Sequence, residues 1–265
     1  MRDRFYLVDA FADEAFRGNP AGVVISTQAL PVSLMQNLAM EFGFSETSFI
    51  HKKNKQYCIR WYTPAVEASL CGHATLAAAH VLWSDNFESV KEIVFASQSG
   101  LLKATRTNSK EIALDFPNEK MEAIPEVPTI LVNEFGTSIK FFGKNRIDYV
   151  LELETEDHVA SYIPNFKALI ELGRGLVITA KSTCNDYDFV SRVFAPSEGI
   201  PEDPVTGAAH CCLGPYWSHR LAKTELVGRQ LSKRSGFVKT KIQGNRVVLS
   251  GSAVTILSGQ LNKEL

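Results

Sequence analysis

Two residues that can do proton chemistry, Cys71 and His73, lie two positions apart at the start of an apolar stretch. Gly72 is expected to open a helix here, because residues 74–83 are almost all small or apolar. A helix without a polar face is usually surrounded by protein, whereas its first-turn N–H groups have no partner within the helix. The pattern therefore predicts a buried helix end that binds an anion beside a thiol and an imidazole.

Each of these two side chains also has a structural interpretation. A helix N-terminus lowers the pKa of a thiol, so Cys71 is a candidate base; a small residue that only fills buried space is the alternative. His73 is a candidate proton donor or carboxylate ligand. A histidine that caps or packs against the helix start is the alternative.

Two acids complete the set of candidate catalytic residues. Glu46 follows the predicted helix stop Gly43 and precedes a predicted strand over 48–51, which places its carboxylate at the edge or end of a sheet. Its alternative interpretation is a solvent-facing turn residue. Asp203 comes just before a second small, apolar stretch that begins at Gly207, where a helix cap or a turn is the alternative.

Metal and nucleotide sites are not predicted. Cys71, His73 and His80 do not follow a zinc-ligand spacing, and no second ligand pair comes later. The chain also lacks the motifs of dinucleotide-binding proteins, P-loop proteins and α/β-hydrolases. We therefore expect neither a metal nor a cofactor.

The elements that position these residues are predicted to occur twice. Arg60-Trp-Tyr-Thr-Pro64 and Arg192-Val-Phe-Ala-Pro196 share the order Arg, any residue, aromatic, any residue, Pro, and they lie half the chain length apart. Gly72 and Gly207 open their apolar stretches at nearly the same offset. Each copy is thus expected to run from a strand through a loop into a buried helix.

A third match, again at nearly the same offset, relates Ser99–Lys103 to Ser235–Lys239. Three matches in order indicate a duplicated unit that is far longer than a solenoid repeat. We predict two similar halves, residues 1–118 and 119–265, related by a pseudo-twofold axis. The two helix starts would then face each other across a cleft between the halves.

Each half is predicted to wrap a curled, mostly antiparallel sheet around its apolar helix. After the second helix, strands are expected over 237–242, 246–250 and 254–257, the last one packing back on the first half. The offset that relates Arg60 to Arg192, counted from Glu46, reaches Ile178. The second half is therefore predicted to lack the acid, an asymmetry that folding does not require.

Composition predicts a cytoplasmic protein that binds neither nucleic acid nor membranes. The formal net charge is −1, and no basic cluster suggests a polyanionic partner. No apolar run approaches the roughly 20 residues of a membrane span, and the first residues lack the apolar run of a signal peptide. Five cysteines without a CxxC pair are typical of free thiols in a reducing compartment.

Four motifs follow one another along the chain: Asp9-Ala-Phe-Ala-Asp-Glu-Ala-Phe-Arg-Gly-Asn-Pro-Ala-Gly22, Phe44-Ser-Glu-Thr-Ser-Phe49, Thr63-Pro64 through Cys71-Gly-His-Ala-Thr75, and Glu202-Asp-Pro-Val-Thr-Gly-Ala-Ala-His210. With them the chain resembles the PhzF family of phenazine biosynthesis-like isomerases over essentially its whole length. The resemblance implies an α+β, diaminopimelate-epimerase-like fold. In that fold two pseudo-symmetric domains each carry a mostly antiparallel sheet around a central apolar helix, with the site between them.

The resemblance also implies roles for single residues. Glu46 would be the general acid/base, with His73 and Asp203 as further catalytic residues. Substrate-binding residues are expected at Asn19, Ser45, Cys71, Gly72, Ala74, Thr206, Gly207 and Ala208. Ala208 stands where the phenazine enzyme has a serine, so one substrate hydrogen bond is missing. Thr206 stands where a two-thiol racemase would need its second cysteine, which disfavours that reaction.

We therefore expect a cofactor-independent isomerase that moves a proton on a small carboxylate-bearing substrate and forms a homodimer. Two alternatives remain open. One is a non-catalytic binding or interaction protein on the same fold, because a fold does not fix a function. The other is an epimerase that depends on Cys71.

Overall fold

Strands and a few helices account for most of the chain in the computed structural model, which describes residues 3–107, 109 and 111–262. The strands, in chain order, are β1 (Arg4–Ala10), β2 (Asn19–Ser26), β3 (Thr47–Lys53), β4 (Gln56–Tyr62), β5 (Glu67–Ala68), β6 (Glu92–Ser97), β7 (Gly100–Arg106), β8 (Ile112–Pro117), β9 (Glu122–Ala123), β10 (Ile139–Lys144), β11 (Asp148–Leu153), β12 (Gly175–Lys181), β13 (Phe189–Ala195), β14 (Ile200–Asp203), β15 (Glu225–Gln230), β16 (Gly236–Gln243), β17 (Arg246–Gly251) and β18 (Ala253–Gln260). The α-helices are α1 (Val32–Phe42), α2 (Gly72–Ser84), α3 (Thr129–Phe135), α4 (Glu156–Ala160), α5 (Phe166–Glu171) and α6 (Gly207–Leu221). Single 3-10 turns occupy Gly136–Ser138 and Pro196–Glu198.

Contacts between these elements divide the chain into two units. The first unit comprises the chain up to Asp115 and from Ser250 onward, and the second unit comprises Phe116–Leu249. The first unit therefore includes β18, which pairs antiparallel with β1 from Arg4 to Ala10. The chain enters the second unit along β8 and leaves it along β17.

The first unit orders its strands β18-β1-β2-β3-β4-β6-β7-β8. β2 runs parallel to β3 and β4 runs parallel to β6, whereas the other neighbours in this order are antiparallel. The two-residue β5 pairs with the end of β4. The parallel pairs require crossovers, and the chain between β5 and β6 supplies one of them as α2.

The second unit repeats this plan with β10-β11-β12-β13-β15-β16. Its parallel pairs are β11–β12 and β13–β15, and the short β14 lies beside β13 as β5 lies beside β4. α6 forms the crossover between β14 and β15. The α+β architecture predicted from the sequence, with a mostly antiparallel sheet and one central apolar helix in each unit, is confirmed.

Helix α2 is buried along almost its whole length. It lies against β1, β2, β3 and β18, and its residues from His73 to Ala79 are all buried. Leu76, Val81 and Leu82 are fully enclosed, and burying each such side chain stabilises the fold by roughly 1.5–3 kcal/mol. The helix begins at Gly72, as predicted, because Cys71 before it is extended.

Helix α6 is buried in the same way but contains a proline. Pro215 has no N–H, so the carbonyl of Cys211, four residues earlier, loses its partner within the helix. The N–H of Glu119 donates to that carbonyl at 3.0 Å instead. A segment of the second unit thus satisfies the polar group that the proline releases.

Three strands of the second unit, β9, β14 and β15, were not predicted from the sequence, and β15 is the longest of them. β15 lies between β13 and β16 and carries Gly228, which interrupts the apolar alternation that predicts a strand. Among the helices of the described residues, none is long and apolar enough to span a bilayer.

Gly228 generates a stability prediction. A Cβ there would lie 2.5 Å and 2.7 Å from ring carbons of Phe189 and 2.9 Å from Nε2 of His210, both of which are fully buried. Gly228→Ala should lower the free energy of unfolding by about 1–3 kcal/mol, because the atoms of a close-packed core can shift only slightly to make room for the added methyl group. Urea unfolding followed by circular dichroism measures this difference.

Gly259→Ala is the matched control, since Gly259 is also in a strand but no atom lies within 4 Å of an added Cβ. Its effect should stay within about 0.5 kcal/mol. Equal losses in the two variants would show that the contact with Phe189 and His210 is not what excludes a side chain at residue 228.

Candidate active site

Glu46 is held in place by the parallel pairing of β2 and β3. It directly precedes β3, and its carbonyl accepts the N–H of Gly22 at 3.4 Å. A Cβ at Gly22 would lie 2.7 Å from Oγ1 of Thr47, so only glycine lets the two strands approach this closely. The sequence prediction that Glu46 sits at the end of a strand is correct, although β3 begins at Thr47 rather than Ser48.

The first turn of α2 brings His73 to this carboxylate. Nε2 of His73 lies 3.4 Å from Oε2 of Glu46 and 3.4 Å from Oγ of Ser45. On the other side of the ring, Nδ1 lies 3.3 Å from Nδ2 of Asn19 and 3.5 Å from Sγ of Cys71. Residues that are far apart in the sequence thus surround one imidazole.

The contacts of the ring favour one tautomer of neutral His73. The amide nitrogen of Asn19 donates, so Nδ1 is the acceptor and Nε2 carries the proton that faces Glu46. Asn19 is fully buried and His73 is 5 % exposed, whereas the Glu46 side chain is 18 % exposed. Glu46 is therefore the acid of the cluster that a small molecule can reach, and the buried imidazole lies behind it.

This arrangement is suited to proton transfer. A carboxylate that is partly withdrawn from water and hydrogen-bonded by an imidazole can remove and return a proton on a bound molecule. Gly72 and Ala74 lie beside it in the first turn of α2, where backbone N–H groups point out of the helix end. A helix end of this kind binds carboxylates and phosphates.

Part of the second unit forms a separate cluster at the start of α6. Thr206 is the N-cap residue, its hydroxyl donates to Oδ2 of Asp203, and its N–H donates to Oε1 of Gln230 at 2.8 Å. The Gln230 amide also donates to the carbonyl of Asp203 at 2.6 Å. The buried Gln230 therefore fixes the loop that presents Asp203, Thr206 and, at the start of the helix, Gly207 and Ala208.

His210, the last residue of the fourth motif, has a structural role. Its Nδ1 donates to the carbonyl of Thr206 at 2.8 Å, and the side chain is fully buried. Burial lowers the pKa of His210 to about 4, so it is neutral at physiological pH. The hydroxyl of Thr75 donates to the carbonyl of Cys71 at the corresponding place in α2.

Two arginine–carboxylate pairs lead into the two helices, and the sequence analysis missed both. Arg60 donates to Glu67 through Nε at 2.7 Å and through Nη2 at 2.6 Å. Arg192 donates to Glu202 through Nε at 2.7 Å and through Nη2 at 3.1 Å. The signal was present, because Glu67 precedes Gly72 by the same spacing as Glu202 precedes Gly207.

The predicted counterpart of Glu46 was wrong. Arg60 lies opposite Phe49 and Arg192 lies opposite Ile178, so Ile178 corresponds to Phe49. The constant offset fails because the turn between β3 and β4 has two residues, whereas the one between β12 and β13 has seven. The residue that takes the place of Glu46 is Gly175, so the second unit still has no acid there.

The spacing of Cys71, His73 and His80 did not predict a metal site, and in the structure His80 lies apart from the other two. His80 lies further along α2, where its Nε2 is 3.0 Å from Oγ1 of Thr255, and burial together with Arg106 lowers its pKa to about 4. Glu46, Cys71 and His73 instead each place one potential ligand atom within 4.8 Å of the other two. Glu46 is the member that spacing along the sequence did not indicate.

Comparison with known proteins gives consistent matches. A model of the family PhzC-PhzF, described as phenazine biosynthesis-like protein, matches residues 8–259. An uncharacterized isomerase of Halalkalibacterium halodurans is 44 % identical over 263 residues, which cover 98 % of this chain and 99 % of that protein. The crystal structure of a PhzF-family phenazine biosynthesis protein of Enterococcus faecalis has a TM-score of 0.93 and 41 % identity, covering 99 % of this chain and 100 % of that one.

The fold extends to more distant proteins. A hydroxyproline epimerase of Agrobacterium vitis has a TM-score of 0.60 at 10 % identity, covering 98 % of this chain and 94 % of that one. At this identity the likeness concerns the fold alone. It agrees with the epimerase-like architecture that the sequence motifs imply.

The Arg60–Glu67 pair predicts a pH-dependent stability. Hydrogen bonding from Arg60 lowers the pKa of Glu67 below its ordinary 4.5. A lowered pKa in the folded state means that the stabilisation is fully present above pH 4.5 and is lost as the pH falls through the folded pKa. At pH 7, Glu67→Gln should reduce the free energy of unfolding by about 1–2 kcal/mol.

Urea unfolding of the wild type and of Glu67→Gln between pH 7 and pH 3 measures this difference, which should shrink at the acid end. Glu92→Gln is the control, because Glu92 pairs with Lys103 at the surface at 3.6 Å and should matter by less than about 0.5 kcal/mol. A Glu67 difference that stays constant down to pH 3 would contradict the assigned charge pairing.

Proposed function

The chain belongs to the PhzF family of phenazine biosynthesis-like proteins, and on that premise we propose that it is a cofactor-independent isomerase with Glu46 as general acid/base. Its relatives named as isomerases support the reaction class. The substrate class is a small molecule that carries a carboxylate. The reaction moves a proton from one carbon to another without a change in oxidation state.

The position of Glu46 carries the proposal. Its carboxylate is partly exposed and lies 3.4 Å from the imidazole of His73, which is buried together with Asn19 and Cys71. A residue that only closed a turn would have no need of a buried imidazole and a buried amide behind it. The arrangement instead holds one carboxylate in a fixed orientation, which general acid–base catalysis requires.

In the proposed reaction Glu46 removes a proton from a carbon next to a carbonyl group or an extended π system. The electron pair of the C–H bond moves into that system, and the carboxyl group of Glu46 now carries the proton. Glu46 then returns it to another carbon on the same face, which restores the carboxylate. The Nε2–H of His73 stays hydrogen-bonded to the carboxylate and limits its rotation between the two steps.

We place the substrate carboxylate at the N-terminus of α2. The N–H groups of Gly72 and Ala74 lie in its first turn, and a helix N-terminus favours negative charge by about 0.3–1 kcal/mol at exposed sites. Gly72 is half-buried and has no side chain that would keep a ligand from its backbone. Asn19 and Ser45 contribute polar groups next to the His73 ring.

The Asp203 cluster is a second, separately testable part of the proposal. Asp203 is held by the hydroxyl of Thr206 and through its backbone by Gln230. We assign it a direct role in substrate turnover, with Thr206, Gly207 and Ala208 as binding residues. A methyl group at Ala208 cannot donate a hydrogen bond, so the substrate is expected to need one polar contact fewer at this position than the phenazine enzyme's substrate.

A thiol-dependent epimerase is the second candidate function. The observation that favours it is the distance of 3.5 Å between Sγ of Cys71 and Nδ1 of His73, which suits an imidazole-assisted thiolate. A non-catalytic binding protein on the same fold is the third. Exchange of substrate hydrogen with solvent deuterium separates all three.

Glu46→Gln is the first test. A panel of cyclic and amino-bearing carboxylic acids is incubated in D₂O, and deuterium incorporation into each acid is followed by proton NMR. The wild type should exchange at least one member of the panel. Glu46→Gln keeps the size of the side chain but cannot accept a proton, so the exchange rate should fall about 10²–10⁴-fold.

Cys71→Ser is the matched control and should keep most of the exchange activity, because the thiol does not take the proton. An epimerase that depends on Cys71 gives the opposite order, with the serine variant inactive and the glutamine variant active. Ligand-induced thermal stabilisation without exchange in any variant would indicate a binding protein.

Asp203→Asn tests the second cluster. Asparagine can still accept the hydroxyl proton of Thr206, so the loop should keep its conformation while the charge is lost. With the acid exchanged by the wild type, the rate should fall by about 10²-fold or more. Asp157→Asn, at the start of the short helix α4, is the control and should leave the rate unchanged. An unchanged rate in Asp203→Asn would limit Asp203 to positioning the loop.

A further inference from the structure

We propose that Glu46, Cys71 and His73 form a reversible site for a thiophilic divalent cation, represented by Zn²⁺, and that cation binding inhibits the protein. The binding part is independent of catalysis. The inhibition part rests on the proposed function, because it needs Glu46 to be the acid/base.

The three side chains converge with distances that suit one small cation. Sγ of Cys71 lies 3.5 Å from Nδ1 and 4.0 Å from Nε2 of His73, and Oε2 of Glu46 lies 3.4 Å from Nε2. One ligand atom from each residue lies within 4.8 Å of the others. Zn–S bonds near 2.3 Å and Zn–N or Zn–O bonds near 2.0–2.1 Å imply ligand separations of about 3.3–3.6 Å in a tetrahedron. Side-chain shifts of about 1 Å therefore complete the geometry.

The chemistry of the donors selects the cation. A thiolate and an imidazole are ligands for Zn²⁺ and other late transition metals, whereas Mg²⁺ and Ca²⁺ prefer oxygen. Three protein ligands with an open fourth position are typical of zinc sites that bind water or a small anion. The first-turn N–H groups of α2 would lie beside such an anion.

The ligands are carried by two fixed elements. Cys71 and His73 belong to the start of the buried helix α2, and Glu46 precedes β3 in register with β2. Ligation through Nε2 leaves the ring proton on Nδ1. The amide of the buried Asn19, which lies 3.3 Å from Nδ1, must then turn so that its oxygen accepts that proton, as an outer partner of a ligating histidine does. The 18 % exposure of the Glu46 side chain gives the cation a way in.

Cation binding and proton transfer exclude each other. Coordination uses the electron pair of the Glu46 oxygen that would otherwise accept the substrate proton. The thiol of Cys71 ligates as a thiolate, so its proton is released to solvent when the metal–sulfur bond forms. A thiol in this place thus adds a cation affinity that a cluster of Glu46 and His73 alone would not have.

The remaining cysteines do not compete for this assignment. Over the residues that the structure describes, no other group of three such side chains meets the same distance condition. Burial raises the pKa of the Cys211 and Cys212 thiols to about 12, which makes them poor ligands. Cys184, half-buried in the second unit, supplies the control substitution.

Co²⁺ is the probe for binding, because a cobalt–thiolate bond absorbs in the near ultraviolet. Protein stripped with a chelator and kept reduced with a phosphine is titrated with Co²⁺. One equivalent should produce the charge-transfer band, and Zn²⁺ should remove it, whereas Mg²⁺ should not. Cys71→Ser should lack the band and bind Zn²⁺ at least about 10-fold more weakly. Cys184→Ser should behave as the wild type.

Glu46→Gln keeps the thiolate, so it should retain the band and bind the cation more weakly. This second variant tests the site even if Cys71→Ser folds poorly. Absence of the band from the wild type, or its persistence in Cys71→Ser, would overturn the site. Where the wild type exchanges deuterium into an acid, Zn²⁺ should abolish exchange and chelator should restore it. Zn²⁺ that binds but stimulates exchange, or leaves it unchanged, would overturn the inhibition and leave the proposed isomerase in place.

Discussion

The burial of helix α2 is the constraint on which the rest of the first unit depends. A helix that is apolar on all sides must be covered on all sides, and β1, β2, β3 and β18 lie against it. Its axis and its first turn are therefore fixed by packing rather than by local propensity. Because His73 stands in that first turn, the packing of Leu76, Val81 and Leu82 also determines where the imidazole meets the carboxylate of Glu46.

The two units share the contacts that stabilise the fold and differ in the residues of the candidate site. Both have an arginine–glutamate pair before the central helix, and in both the fourth helix residue donates to the carbonyl of the N-cap residue. In addition, Ser99 donates to the carbonyl of Ser69 as Ser232 donates to that of Pro204. These contacts hold a loop against a sheet and need no ligand to explain them.

The differences concern the candidate site. Gly175 takes the place of Glu46, Thr206 that of Cys71, and Ala208 that of His73. A Cβ at Gly175 would overlap Oδ1 of Asp148, a buried acid whose pKa burial raises to about 6. The second unit thus uses that space for packing, and the polar cluster around an imidazole belongs to the first unit.

Much of the fold was predictable because the spacing of apolar residues and the positions of Gly and Pro determine helices and strands locally. The starts of α2 and α6 and the strand after Glu46 all follow from apolar spacing and from Gly. The contacts of the site were not predictable in this way. Asn19 lies 54 residues from His73, and sequence spacing does not show that β2 places it against the ring. The partner of Arg60 is different, because Glu67 and Glu202 precede their helices by the same spacing and could have been found from the sequence.

The error at Ile178 shows why a constant offset is an unreliable guide. A turn changes length without disturbing the strands that it joins, so the offset holds within an element and shifts between elements. Only the pairing of Arg192 with Ile178 and of Arg60 with Phe49 relates the two units correctly. The conclusion that the second unit lacks the acid survives, because glycine cannot replace a carboxylate any more than isoleucine can.

The positions of Glu46 and Cys71 bear on the choice between isomerisation and epimerisation. Inversion at carbon needs one group that removes a proton from one face and another that delivers a proton to the opposite face. Glu46 and Cys71 both contact the same imidazole, and their ligand atoms lie within 4.8 Å of each other, so they address a bound molecule from one side. These two groups therefore cannot form the two-base pair of an epimerase. In the proposed reaction Glu46 alone removes and returns the proton, and a single group on one face is what relocation of a proton within a substrate requires.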